Sequence, residues 1–205
     1  MRLCLAATAA AAMLMCVVAS PAIARADSVT YTETVTATGT LNGQAFSNAL
    51  VTLTATGDTL DVNTSGAPVS AHIPVTLDLT IVGIGSTMFT DQTSVLSNVG
   101  GGGLIGMSDL TNNFSIMLTA NSALETFYDL ETDFGPVSGN PVFNAGQSFN
   151  TADGSLIFTA ADDATFQAVV GSAPTPEPGS LALLATGLLG FAGVARRRLG
   201  AQIAR

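Results

Sequence analysis

The stretch Val29-Thr30-Tyr31-Thr32-Glu33-Thr34-Val35-Thr36-Ala37-Thr38 decides the fold class. Threonine holds every even position from 30 to 38, while Val29, Tyr31, Val35 and Ala37 hold odd ones. A period of two with β-branched residues on the outer face is the signature of a half-buried strand. Working outward, the pattern returns. Val51, Leu53 and Ala55 alternate with Thr52, Thr54 and Thr56, and Val75, Leu77, Leu79 and Ile81 alternate with Thr76, Asp78 and Thr80. Phe114, Ile116 and Leu118 continue it, as do Leu156 with Phe158 and Phe166 with Ala168 and Val170. No segment between them has a convincing helical period.

Turn signals separate these runs. Asn42-Gly43 predicts a tight hairpin between Thr38–Leu41 and Gln44–Phe46. Thr56-Gly57-Asp58 precedes an expected short strand around Leu60 to Val62. Asn63 to Pro68 reads as a loop, as does Gly135-Pro136 through Asn140-Pro141. Gly100 to Gly103 is a loop as well; a phosphate-binding reading would need a following Lys, and the chain has none. Strands spaced in this way predict an all-β fold: a single antiparallel β-sandwich or jelly-roll-like domain.

Charge divides the chain of 205 residues into three parts: 1–26, 27–173 and 174–205. All basic residues are Arg, at 2, 25, 196, 197, 198 and 205. The 147 residues from Asp27 to Ala173 hold 14 of the 15 acidic residues and no Lys or Arg. That body is a polyanion. Neutralising phosphates takes Lys and Arg, so the charge excludes nucleic acid as a partner. It favours solubility and repels other anions. The only cysteines, Cys4 and Cys16, lie in the first part, so a body without that part has no thiol for disulfides or thiolate metal sites.

The first part reads as a signal peptide. Arg2 supplies the positive start, Leu3 to Val18 is an apolar run, and Ser20-Pro21 breaks the helix. Small residues then offer signal peptidase a cut after Ala26 or, almost as well, after Ala24. The alternative is a permanent N-terminal anchor. The last part begins with Pro176-Glu177-Pro178, which is stiff and cannot continue a helix. An apolar stretch over about 180–195 follows, roughly 22 Å as a helix at about 1.5 Å per residue, short for a membrane span. Arg196, Arg197 and Arg198 close it and set its end on the cytoplasmic side, leaving the body outside the membrane.

The Pro-Glu-Pro unit, the run Ser180-Leu181-Ala182-Leu183-Leu184-Ala185-Thr186-Gly187-Leu188-Leu189-Gly190 and the Arg cluster together resemble the PEP-CTERM sorting signals, over roughly Pro174 to Leu199. The resemblance implies recognition by an exosortase, a membrane-embedded cysteine protease, with a cut near Pro-Glu-Pro. It implies a precursor held in the inner membrane by the C-terminal helix, with the mature form at the cell surface or secreted. It also implies a Gram-negative host that makes exopolysaccharide.

Chemistry-bearing residues in the body are few. Asp129, Glu131 and Asp133 alternate along Tyr128 to Phe134. As a strand, this would set three carboxylates on one face, opposite Tyr128, Leu130 and Phe134. Hard oxygens of this kind suit Ca²⁺; a solvent-facing acidic strand explains them without an ion, and no other cofactor is expected. Asp58, Asp61 and Asp162-Asp163 are further acidic positions. His72 is the only imidazole, with no local Ser–carboxylate pattern around it. The leading expectation is therefore not an enzyme. It is an exported cell-surface or extracellular-matrix protein, structural or adhesive, with exopolysaccharide as a neighbour. A carbohydrate- or calcium-binding module is the alternative, and a carboxylate-dependent hydrolase the third.

Overall fold

The computed structural model describes residues 27–66, 69–100 and 102–171. The expected signal helix and sorting helix fall outside these residues. Within them the chain is built from antiparallel strands and two short 3₁₀ turns.

The strands are β1 (Ser28–Leu41), β2 (Gln44–Asp58), β3 (Asn63–Gly66), β4 (Ser70–Ile81), β5 (Gly85–Met88), β6 (Thr93–Asn98), β7 (Leu104–Asp109), β8 (Phe114–Ala120), β9 (Phe134–Val142), β10 (Ser148–Thr151) and β11 (Gly154–Gly171). Eight of them close a ring in the order β1-β2-β4-β6-β7-β8-β9-β11, with β11 returning to β1. The short strands β3 and β5 attach to β4, and β10 attaches to β11.

The antiparallel all-β expectation is met. The expected sandwich or jelly roll is replaced by a barrel-like sheet in which each ring strand pairs with the ring strands before and after it in the chain. The physical reason is simple. Alternation reports which face of a strand is buried, not how the sheet closes. The two outermost long strands here find each other, which removes two sheet edges at once.

Two strands bend the ring into facing walls. The first half of β4, Ser70 to Val75, pairs with β6, while Val51 to Thr56 of β2 pair with its second half, Thr76 to Ile81. Likewise Phe134 to Gly139 of β9 pair with β11, and Asn140 to Val142 with β8. One wall is then centred on β1, and the other on β7.

β1 behaves as its sequence dictates. Val29, Tyr31, Val35 and Ala37 are buried, and the threonines between them are half-covered on the outer face. It pairs along its length with β2 on one side and β11 on the other. The Asn42-Gly43 turn forms as predicted, with both residues at positive φ (49° and 79°), the geometry of a two-residue hairpin. Bulges in both flanking ladders place Asn48 and Asp163 at positive φ (48° and 54°). The core joins both walls; Phe149, Phe158, Phe166, Ile105, Met107 and Ile116 are among its fully buried side chains.

Three local expectations are corrected. The short strand around Leu60 to Val62 is instead a 3₁₀ turn, Thr59–Asp61, capped by Asp58, whose Oδ1 accepts from Leu60 N at 2.9 Å. A local side-chain acceptor gave that backbone an alternative to a ladder. The loop expected from Asn63 to Pro68 contains β3, which lies along β4. The loop expected from Gly135 to Pro141 is β9. Proline demotes a strand because it lacks an N–H. β9 accommodates Pro136 and Pro141 by pairing with β8 and β11 over separate short stretches.

Candidate functional site

The residues expected to carry sorting, Pro176, Glu177, Pro178, Arg196, Arg197 and Arg198, lie outside the described residues, as do Ala24 and Ala26. What the structure places is the point from which the tail departs. Gly171, the last residue of β11, is paired with Ser28, the first of β1, and Ser28 is paired on its other side with Asp58. Both ends of the body therefore leave from one rim. Thr59 N donates to Asp27 O at 3.1 Å there, which ties the start of the body to the 3₁₀ turn. Ser172 to Thr175 separate Gly171 from Pro176.

The acidic candidates lie in the segment that leads back toward the same rim. Asp129, Glu131 and Asp133 do not sit on a strand; they belong to a loop before β9. Leu130 takes a positive φ of 68°, which breaks the two-residue alternation that a strand would need. The apolar half of the expectation holds in part. Tyr128 and Leu130 are buried, while Phe134 is half-buried with its ring 4.4 Å from that of Tyr128.

The loop's carboxylates have structural work. Asp129 Oδ1 accepts from Glu131 N at 3.0 Å, and Asp133 Oδ1 accepts from Val170 N at 2.7 Å. The second bond stitches the loop to the C-terminal end of β11. Tyr31 reaches out from β1 and donates its hydroxyl to Leu130 O at 2.6 Å, and Tyr128 donates to Thr132 O. Burial holds both phenols well above the usual tyrosine range, and the loop's acids add to it. Among the described residues no group of three or more His, Cys, Asp or Glu is gathered to hold a metal ion.

Other singled-out residues find ordinary places. His72 is half-buried in β4, facing Leu96 across the ladder. Asp162 and Asp163 are exposed at the β11 bulge. Gly103, at φ 74°, lies so close to Asn121 that a Cβ would meet its carbonyl oxygen at 2.4 Å, so this glycine serves a close backbone approach.

Two shallow clefts open on the surface. One of about 380 Å³ lies over Gly102, Ala120, Asn121, Ser122, Gly139 and Asn140. The other, of about 200 Å³, sits at the end of β1 away from Ser28 and is lined by Leu41, Asn42, Gln44, Ile84, Gly85, Ser86 and Asp153. Amide, hydroxyl and carboxylate groups dominate its wall.

One chemically loaded residue escaped the sequence reading. Glu33 faces inward from β1 and is fully buried. The signal was present in the opening stretch: Glu33 stands at an odd position, where the other residues are Val, Tyr and Ala.

A family model described as the PEP-CTERM protein-sorting motif matches residues 174–198. No curated protein and no solved structure matches the chain. The match covers the tail and leaves the barrel's own family unassigned.

Proposed function

We infer that the PEP-CTERM sorting motif at residues 174–198 marks the chain for export and for processing by an exosortase from a membrane-held precursor. From that premise we infer that the barrel is a non-enzymatic display module of the cell surface or extracellular matrix, structural or adhesive in role, with exopolysaccharide as its neighbour.

The observation that carries this reading is the pairing of Ser28 with Gly171. The tail leaves from one rim, and β1 runs 14 residues to the other. At about 3.3 Å per residue that is roughly 40 Å. While the tail is in the membrane, the hairpin turn at Asn42-Gly43 is held far from it. The body's charge supports the same reading: 14 acids and no Lys or Arg keep it in water and away from anionic lipid.

A carbohydrate-binding module is the second reading, favoured by the polar cleft at Asn42, Gln44, Ser86 and Asp153 on that far end. Neutral sugars are recognised by side chains of these kinds. Sedimentation of the mature protein with the host's own exopolysaccharide tests both forms of the proposal. We expect the protein to pellet with the polymer, and Asn42→Ala with Gln44→Ala to release it if the cleft is the contact. Protein that stays in the supernatant at every polymer concentration removes the exopolysaccharide association.

A further inference from the structure

The inward row of β1 is Val29, Tyr31, Glu33, Val35 and Ala37, so an acid sits among apolar neighbours. Leu53 of β2 and Phe166 of β11 flank Glu33 in the ladders. Its side chain crosses the barrel to the opposite wall. There Thr119 of β8 donates its hydroxyl to Glu33 Oε1 at 2.9 Å. The other oxygen, Oε2, is buried with no hydrogen-bond partner. It rests against Gly106 of β7, where a Cβ would come within 2.7 Å of it and within 2.4 Å of Met117 O. The absence of a side chain at Gly106 makes room for the carboxyl group.

Among the described residues no cation compensates Glu33. The body has no Lys or Arg. Of the other titratable groups on the packed elements, Tyr31 gives its hydroxyl to Leu130 O. Both oxygens of Asp109, on β7, are taken by the turn after it, from Thr111 N at 2.8 Å, Asn112 N at 3.1 Å and Asn112 Nδ2 at 2.9 Å. On β4, His72 is half-buried opposite Leu96 and Asp78 is exposed; Asp162 and Asp163 of β11 are exposed, Asp58 lies at the rim end of β2, and β8 and β9 carry no titratable group. Burial pushes the Glu33 carboxyl well above the ordinary carboxylate range, with hydrogen bonds from Thr119 and the Met107 backbone offsetting part of that.

We propose that Glu33 is a proton-held latch between the two walls of the barrel: the neutral acid lets the β1 wall close on β7 and β8, and the anion loosens them. An unpaired charge in that position has the Thr119 hydroxyl and an unbonded Oε2 in place of a hydration shell, so ionisation favours states in which water reaches it.

The direction follows from proton uptake. Unfolded Glu ionises at about 4.3, and the folded group does so at a higher pH. Below the unfolded value both states hold the proton and stability is complete. Between the two values only the folded state holds it, so the unfolding constant rises about tenfold per pH unit. The loss is complete once pH passes the folded value. A protein displayed outside the cell would thus be tightest in acidic surroundings and loosen in alkaline ones.

The test is guanidinium unfolding of the full chain between pH 5.5 and 9, for the wild type and Glu33→Gln. Ordinary carboxylates have ionised by the start of that range, and every other titratable group is common to both proteins. We expect the wild-type unfolding constant to climb with pH more steeply than that of the Gln variant, by up to about tenfold per unit. Should the variant fail to fold, infrared spectra of the wild type give the same answer. A carbonyl band of a neutral carboxylic acid should persist above the range where ordinary carboxylates ionise and vanish in step with the loss of stability. Equal slopes in the two proteins, or no such band above that range, would overturn the latch.

Discussion

A chain ending at Asp153 should fail to fold, whereas one ending at Gly171 should unfold in a single cooperative transition. The difference is β11. Its removal strips β1 of partners from Ser28 to Leu41 on one side, leaves β10 without its ladder and leaves β9 paired with β8 alone. It also takes Leu156, Phe158, Ala164, Phe166 and Ala168 out of the core. An open β1 would present a long unpaired edge above a hollow interior, a template for association with other chains. Circular dichroism and limited proteolysis of the two truncations decide the matter. A cooperative melt from the shorter chain would mean that the seam between β1 and β11 is dispensable and the closed-ring description is wrong.

Replacing Phe158 by alanine should cost about 3–5 kcal/mol, the range for emptying a buried aromatic site. The ring is fully buried on β11 and meets two others edge-on, Phe46 at 6.2 Å and Phe143 at 6.5 Å between centroids. It therefore joins β2, β11 and the segment after β9. Domains hold only about 5–15 kcal/mol in total, so one truncation removes a large share of the margin. The loss should appear as a lower guanidinium midpoint. Thr159→Ala, one residue along on the outer face, should stay within about 1 kcal/mol because it gives up a single exposed hydrogen bond, 3.2 Å from Thr38 O. Similar losses for the two variants would deny Phe158 its place in the core.

Strand existence was legible where threonine and apolar residues alternate, because that pattern is the direct print of one wet and one dry face. Val29 to Ala37, Val51 to Ala55 and Leu77 to Ile81 show it, as does the Asn42-Gly43 turn. Closure was not legible. The pairing of Ser28 with Gly171 joins residues 143 positions apart, and no local pattern encodes it. The errors came from residues with two physical readings. Prolines at 136 and 141 argue for a loop, yet β9 tolerates them by sharing its short ladders between two neighbours. The alternation from Tyr128 to Phe134 suggested a strand, yet Leu130 turns back at positive φ and the burial pattern survives without the ladder. Glu33 was hidden by its company: a single acid in a threonine-rich stretch looks like one more polar position until its parity is counted.

The tail was legible for the opposite reason. The Pro-Glu-Pro unit, the apolar run and the Arg cluster follow one another in the sequence and are recognised as a linear motif. The body that this motif delivers is the part whose partner chemistry comes from its surface.

We propose that the acidic barrel is exported and then released from its membrane-held precursor by an exosortase. The direct measurement is fractionation with intact-mass analysis of the protein from its host, with and without that protease. With the protease, the account predicts a chain that has lost the segment beyond Pro-Glu-Pro and lies outside the inner membrane. Without it, the chain should retain Arg196, Arg197 and Arg198 and sediment with the inner membrane. The same shortened mass in the same fraction from both strains would contradict the claim.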